Sequence, residues 1–125
     1  MRHLHGMLEK LKCKDEYTYQ HCLNVSMFSR RLSTLLDNDI CQTTFYVGIL
    51  HDIGKLFIPD EILKKPEKLT SHEYNIIKTH SQHSRTYIES LGFNKYICQG
   101  VYHHHERFDG SGYPTGISGS TIPIS

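Results

Sequence analysis

Apolar residues recur every three or four positions along most of the chain, the spacing of helices with one buried stripe, and nowhere alternate with polar ones as a half-buried strand requires. Every predicted element is therefore helical, and the fold class is all-α. At the amino end Leu4, Met7, Leu8 and Leu11 keep helical spacing, and residues 1–12 read as a linker or the end of a preceding helix, with the domain proper from residue 13. The stripe resumes over Tyr17 to Leu36 through Leu23, Met27, Phe28, Leu32, Leu35 and Leu36, with Asp15 placed to cap it. Asp37-Asn38-Asp39 then predicts a turn, because short polar side chains compete for backbone hydrogen bonds. From Cys41 to Asp52 the chain is apolar nearly all round, which predicts a central, buried helix.

Beyond Asp52, Gly54 is placed to end that helix, Leu56 to Pro59 reads as extended, and Pro59-Asp60-Glu61 can open a short helical turn. Thr70-Ser71-His72-Glu73 matches the capping box, in which Thr and Glu satisfy each other's free amides. The helix it starts is predicted to run to Leu91, with Tyr74, Ile77, His80 or Ser81, Ser84, Tyr87, Ile88 and Leu91 in one band and Gly92 closing it. Asn94 caps a last predicted helix through His103-His104-His105-Glu106, before three glycines and a proline between 110 and 116 force a loop. Met7, Met27, Phe28, Phe45 and Tyr87 are expected in the core.

With 125 residues and a formal net charge of +1, the chain suits one domain and has no bulk field to hold a nucleic acid polymer or an anionic membrane. No apolar run approaches the roughly 20 residues of a membrane span, which points to a cytoplasmic protein. The four cysteines show no C-x-x-C spacing, so packed, reduced thiols are expected. Histidine changes the picture: there are ten, spread through the chain, and several fall inside helical patterns.

His21, His51, His80, His104 and His105, with Asp52, each lie near an inward band or a helix end. Singly, His21 or His80 reads equally as a core histidine with its hydrogen bonds satisfied. Jointly they offer nitrogen and oxygen donors without thiolate, a set suited to iron, manganese, zinc, cobalt or nickel. An aspartate bridging two such ions can serve hydrolysis of a phosphoester, and Asp52 is the candidate bridge. Lys55 shares a face with His51 and Asp52, where it either stabilises phosphate charge or stays a solvated lysine. Consecutive helical residues diverge by roughly 100°, so His104 and His105 can reach one cluster only if the helix loosens there. His72 and His83 are read as surface or capping residues, and His3 and His5 as linker.

His104-His105-Glu106-Arg107-Phe108-Asp109-Gly110-Ser111-Gly112-Tyr113-Pro114 resembles the HHExxDGxGYP motif of HD-GYP domains at every defined position. Lys14-Asp15-Glu16-Tyr17-Thr18-Tyr19-Gln20-His21, His51-Asp52-Ile53-Gly54-Lys55, Ile58-Pro59-Asp60, Lys64-Lys65-Pro66 and Lys78-Thr79-His80 resemble the same family in order and approximate spacing. The resemblance implies a helical HD-superfamily phosphohydrolase that hydrolyses cyclic di-GMP to pGpG or GMP in bacterial signalling, at a centre of iron or manganese ions. It implies His21, His51, Asp52, His80, His104 and His105 as metal ligands, Asp52 and Lys55 as catalytic, and Lys55, Gly112, Tyr113 and Pro114 as contacts to substrate. A diguanylate cyclase or other signalling protein is the implied partner of the Gly112-Tyr113-Pro114 loop. Members with a third metal carry a Glu where this chain has Tyr17, so two ions are expected. The family also continues into a helix with a further ligand aspartate, so the bundle is expected to be incomplete at its carboxyl end and this stretch alone to be inactive. Two alternatives stay open: a non-catalytic module that binds cyclic di-GMP or a protein, and a phosphohydrolase for another nucleotide.

Overall fold

The computed structural model describes residues 2–36 and 40–123. Among the described residues seven α-helices follow one another: α1 (Arg2–Lys14), α2 (Glu16–Leu36), α3 (Cys41–Leu50), α4 (Asp60–Leu63), α5 (Ser71–Lys78), α6 (His80–Ser90) and α7 (Lys95–His103). A 3₁₀ segment, Ile53–Phe57, links α3 to α4, and a shorter one spans Gly119–Thr121. Among the described residues there is no strand, as the all-α expectation requires, and no helix is long and apolar enough to cross a membrane. The turn expected at Asp37-Asn38-Asp39 lies outside the described residues.

The apolar composition of α3 explains its place at the centre. It packs on α2 and α7, while the 3₁₀ segment packs on α1 and α6. Val47, Ile49, Leu50 and Ile53 join Ile88 of α6 and Val101 of α7 in one core. Met7 and Leu11 of α1 are buried in that same core, so residues read from sequence as linker or helix end contribute packing here.

The seam between α2 and α3 is built from small residues. A Cβ on Gly48 would lie 2.7 Å from Ser26 Cα, and Thr44 Oγ1 donates to Ser33 Oγ at 3.0 Å. This close approach sets His21, five residues before Ser26, beside His51, three residues after Gly48.

Several local expectations are corrected by the packing. Met27 and Phe28 are 65% and 66% exposed, because α2 buries Thr18, Cys22, Ser26 and Ser33 and turns its larger apolar residues outward. Leu56 and Phe57 continue the 3₁₀ segment and are not extended, and Pro59 precedes α4 as its cap. The helix expected from Thr70 to Leu91 is two helices that meet at Thr79, whose N–H bonds back to Ile76 and Ile77. Helix α3 stops at Leu50 rather than Asp52, and Gly54 does not terminate it. Gly54 serves a tertiary approach: its Cβ would fall 2.0 Å from the His80 carbonyl oxygen and 2.4 Å from Ser84 N.

The caps at Thr70 and Asn94 form as expected. Thr70 Oγ1 accepts from Glu73 N while Glu73 Oε2 accepts from Thr70 N, and Asn94 Oδ1 accepts from Tyr96 N and Ile97 N. Asp15 Oδ2 likewise accepts from Thr18 N at the start of α2.

Candidate metal centre

The second turn of α2, the ends of α3 and α7 and the start of α6 converge on the Asp52 carboxylate, which is buried just past α3. Its oxygens face different partners. Oδ2 lies 3.3 Å from His51 Nε2 and 4.0 Å from His21 Nε2, whereas Oδ1 lies 3.1 Å from His80 Nε2 and 3.9 Å from His104 Nε2. Two groups result, with donor atoms mutually within 4.8 Å: His21, His51 and Asp52, and Asp52, His80, His104 and His105. All six residues singled out from the sequence are thus brought together, and Asp52 is common to both groups.

The approach of α6 to the Asp52 segment rests on a buried serine. Ser84 Oγ accepts from Gly54 N at 2.7 Å and donates to His51 O at 2.8 Å, beside the glycine that admits the His80 backbone. Sequence reading placed Ser84 on an inward band but assigned it no such role, since the clamp joins positions thirty residues apart. On the other side, α7 ends at His103, and His104 and His105 follow in a turn. That is the loosening that two consecutive histidines need to share one cluster.

Three imidazoles are oriented the same way. Nδ1 of His51, His80 and His104 lies 2.8, 2.7 and 2.6 Å from the carbonyl oxygens of Gly48, Ile77 and Val101, each three residues upstream. A carbonyl oxygen only accepts, so each Nδ1 carries a proton and each ring turns its Nε2 towards Asp52. His80 Nε2 and His104 Nε2 then stand 3.2 Å apart, next to an Asp52 Oδ1 that is buried and has no hydrogen-bond partner. Burial, reinforced by nearby His51 and His105, pushes the His104 pKa down to about 3, so protonation does not relieve the crowding at neutral pH. Two Nε2 atoms crowded against a buried carboxylate oxygen that has no hydrogen-bond partner fit a bound cation, and nitrogen and carboxylate ligands without thiolate fit a divalent transition metal.

The other groups follow the same electrostatics. Burial raises the Asp52 pKa, but His51 and His80 against its oxygens, with the Lys55 charge, outweigh that and hold it well below the usual carboxylate range. Burial also lowers His105, to about 4, and His21. Lys55 Nζ donates to Asp52 Oδ2 at 2.8 Å, placing an ammonium on the oxygen that faces His21 and His51. Burial beside Asp52 raises the Cys22 thiol to about 12, in keeping with a packed cysteine.

A cleft of about 450 Å³ opens onto this cluster, walled by Val25, Ser29, Thr44 and Val47 and floored by His51, Asp52, Lys55 and the paired His104 and His105. A second opening of about 420 Å³ also reaches His104 and His105, between Tyr74, Arg107 and Tyr113. Gly112 packs against the backbone of 105–107, Tyr113 is half-buried against His105, and Pro114 is exposed. His5, His72 and His83 are exposed and belong to neither group.

A protein-family model for the HD domain matches residues 8–125. A 3'3'-cGAMP-specific phosphodiesterase of Vibrio cholerae is 38% identical over 120 residues, covering 94% of this chain and 28% of that protein. A cyclic di-GMP phosphodiesterase of Pseudomonas aeruginosa is 36% identical over 129 residues, 99% of this chain and 31% of its own length. Another from Thermotoga maritima is 37% identical over 135 residues, 98% of this chain and 35% of its own length. The chain spans about a third of the length of these curated relatives. With its HHExxDGxGYP segment folded beside the buried His-Asp pair, the chain belongs to the HD domain family.

Proposed function

We propose that this chain is the metal-holding part of an HD-GYP phosphodiesterase that hydrolyses cyclic di-GMP to pGpG or GMP, with residues 13–125 as the amino-terminal part of that domain. One observation carries the reading: a single buried carboxylate, Asp52, turns one oxygen to each of two imidazole groups. That arrangement suits two ions bridged by one aspartate, and iron or manganese fits the donors. His21 and His51 would hold one ion, and His80, His104 and His105 the other. Tyr17, one turn before His21, is exposed and offers no carboxylate, which supports two ions rather than three.

Divalent ions so held would supply Lewis acidity at a phosphate and a nucleophile at neutral pH. The protein's own part is to position and to move protons. The three i−3 carbonyl bonds fix the imidazole tautomers, and the buried Asp52 stays ionised throughout the neutral range. Lys55 lines the cleft, whose volume falls in the range usual for small-molecule sites, roughly 300–1,000 Å³. There Nζ stabilises a non-bridging phosphate oxygen and protonates the leaving oxygen as the phosphorus–oxygen bond breaks. Gly112 and Tyr113, which line the second opening, and the adjoining Pro114 would meet the remainder of a dinucleotide.

A second substrate has specific support, because relatives named for 3'3'-cGAMP match this chain as well as those named for cyclic di-GMP. Both are tested by purifying the intact protein anaerobically, quantifying bound iron and manganese, and measuring turnover of the two cyclic dinucleotides side by side. Faster turnover of cyclic di-GMP supports the reading; faster turnover of 3'3'-cGAMP moves the assignment to the sister substrate. A metal-loaded protein that binds either one without cleaving it leaves a binding module.

A further inference from the structure

His105 differs from the other three members of its group. Asp52, His80 and His104 are each fixed by burial or by a backbone hydrogen bond, but neither ring nitrogen of His105 makes a hydrogen bond among the described residues. Its ring is held by packing instead. Tyr113 stacks on it with centroids 4.6 Å apart and planes 22° from parallel, and Tyr113 N donates to His105 O at 3.3 Å.

What keeps Tyr113 there is the preceding motif residue, Glu106. Its side chain is shielded from solvent, and Oε1 accepts from Thr115 N and Thr115 Oγ1 at 2.7 Å each, while Oε2 accepts from Gly116 N at 3.1 Å. These bonds fold residues 112–116 back onto 105–107. Gly112 permits the contact, since a Cβ there would lie 2.5 Å from Glu106 Cα, Arg107 N and His105 O.

We propose that Glu106 is the positioning residue for His105: its carboxylate latches the Gly112–Gly116 segment, and the latched Tyr113 ring holds the His105 imidazole in the cluster. This rests on the metal-centre reading for its consequence but not for its geometry. Supporting groups around metal ligands commonly set metal affinity by about 10–100-fold.

Two measurements test it. In the metal-free protein, histidine ring proton shifts read the stack directly: the upfield shift that Tyr113 imposes on His105 should collapse in Glu106→Ala and Tyr113→Ala and persist in Tyr113→Phe. A His105 shift unchanged in Glu106→Ala overturns the latch whatever the protein does with metal. Manganese titration then reads the consequence. Glu106→Ala and Tyr113→Ala should each weaken one of two sites about tenfold or more, and the double variant should lose no more than either alone, because both act through one ring. Additive losses overturn the proposal. Should Glu106→Ala unfold, Glu106→Gln and Thr115→Val weaken the latch more gently, and wild-type ring shifts and affinity in both would overturn it equally. A wild type that takes up no manganese defeats the metal reading alone, leaving the ring-shift test of the latch intact.

Discussion

His51, His80 and His104 are placed around Asp52 in one way, and His21 and His105 in another. The first three are pinned through Nδ1 to backbone carbonyls three residues upstream, at depths where rotation would strand a polar atom. His21 has a side chain 47% exposed and reaches the cluster by its helix's approach to α3, while His105 depends on a surface loop. The pinned set is pre-organised by the core; the other two can adjust. On the two-ion reading proposed above, each metal position would combine ligands fixed by the core with one that is not.

The largest expected effect removes what both sets share. Asp52→Ala should abolish metal binding at both positions and all turnover, measured by metal titration and by hydrolysis of a cyclic dinucleotide. Loss of only one ion would show that the carboxylate does not bridge. His21→Ala sharpens the same contrast. Being half-exposed, it should reduce the metal stoichiometry from two to one while changing stability by no more than about 0.5 kcal/mol.

Two crowded glycines separate the regions next. Gly54 lies inside the core, where His80 and Ser84 cannot retreat, so Gly54→Ala should cost about 3 kcal/mol or more in urea denaturation. Gly112 meets backbone at 2.5 Å as well, but in a loop exposed on its outer side, which can lift away as a local unit. Gly112→Ala should cost about 1 kcal/mol at most. Equal losses in the two variants would mean that the loop is as much a part of the core as the His-Asp segment.

The residue types at the centre were legible in the sequence because chemistry restricts them: a cluster of histidines around one aspartate at helix ends has few other uses, and the long motif fixes its order. The caps at Thr70 and Asn94 were legible because they are made within four residues. What was not legible needed distant partners. The Gly54–His80 approach and the Ser84 clamp join parts of the chain that only the fold brings together. The outward turn of Met27 and Phe28 escaped for a related reason: periodicity marks an apolar face on α2 without saying that small residues, Ser26 and Ser33, form the opposing seam.

The smallest effect lies outside both sets of histidines and serves as their reference. Lys65 Nζ donates to both Glu73 oxygens, at 2.7 and 2.8 Å, and Thr70 N donates to Oε2. Together these hold the Glu73 pKa at about 2, against an ordinary 4.5, with Lys65 the larger cause. A carboxyl whose pKa is depressed by folding stabilises the folded state above its unfolded value and loses that contribution as protons bind. The stability difference between wild type and Glu73→Gln should therefore be constant above pH 4.5 and shrink as pH falls towards about 2. Being a partly exposed ion pair, it should also weaken with added salt, which the pinned imidazoles, held to backbone carbonyls, should not. A salt response of similar size in Glu73→Gln and wild type would place the screened charges elsewhere and remove this pair as the reference for the buried set.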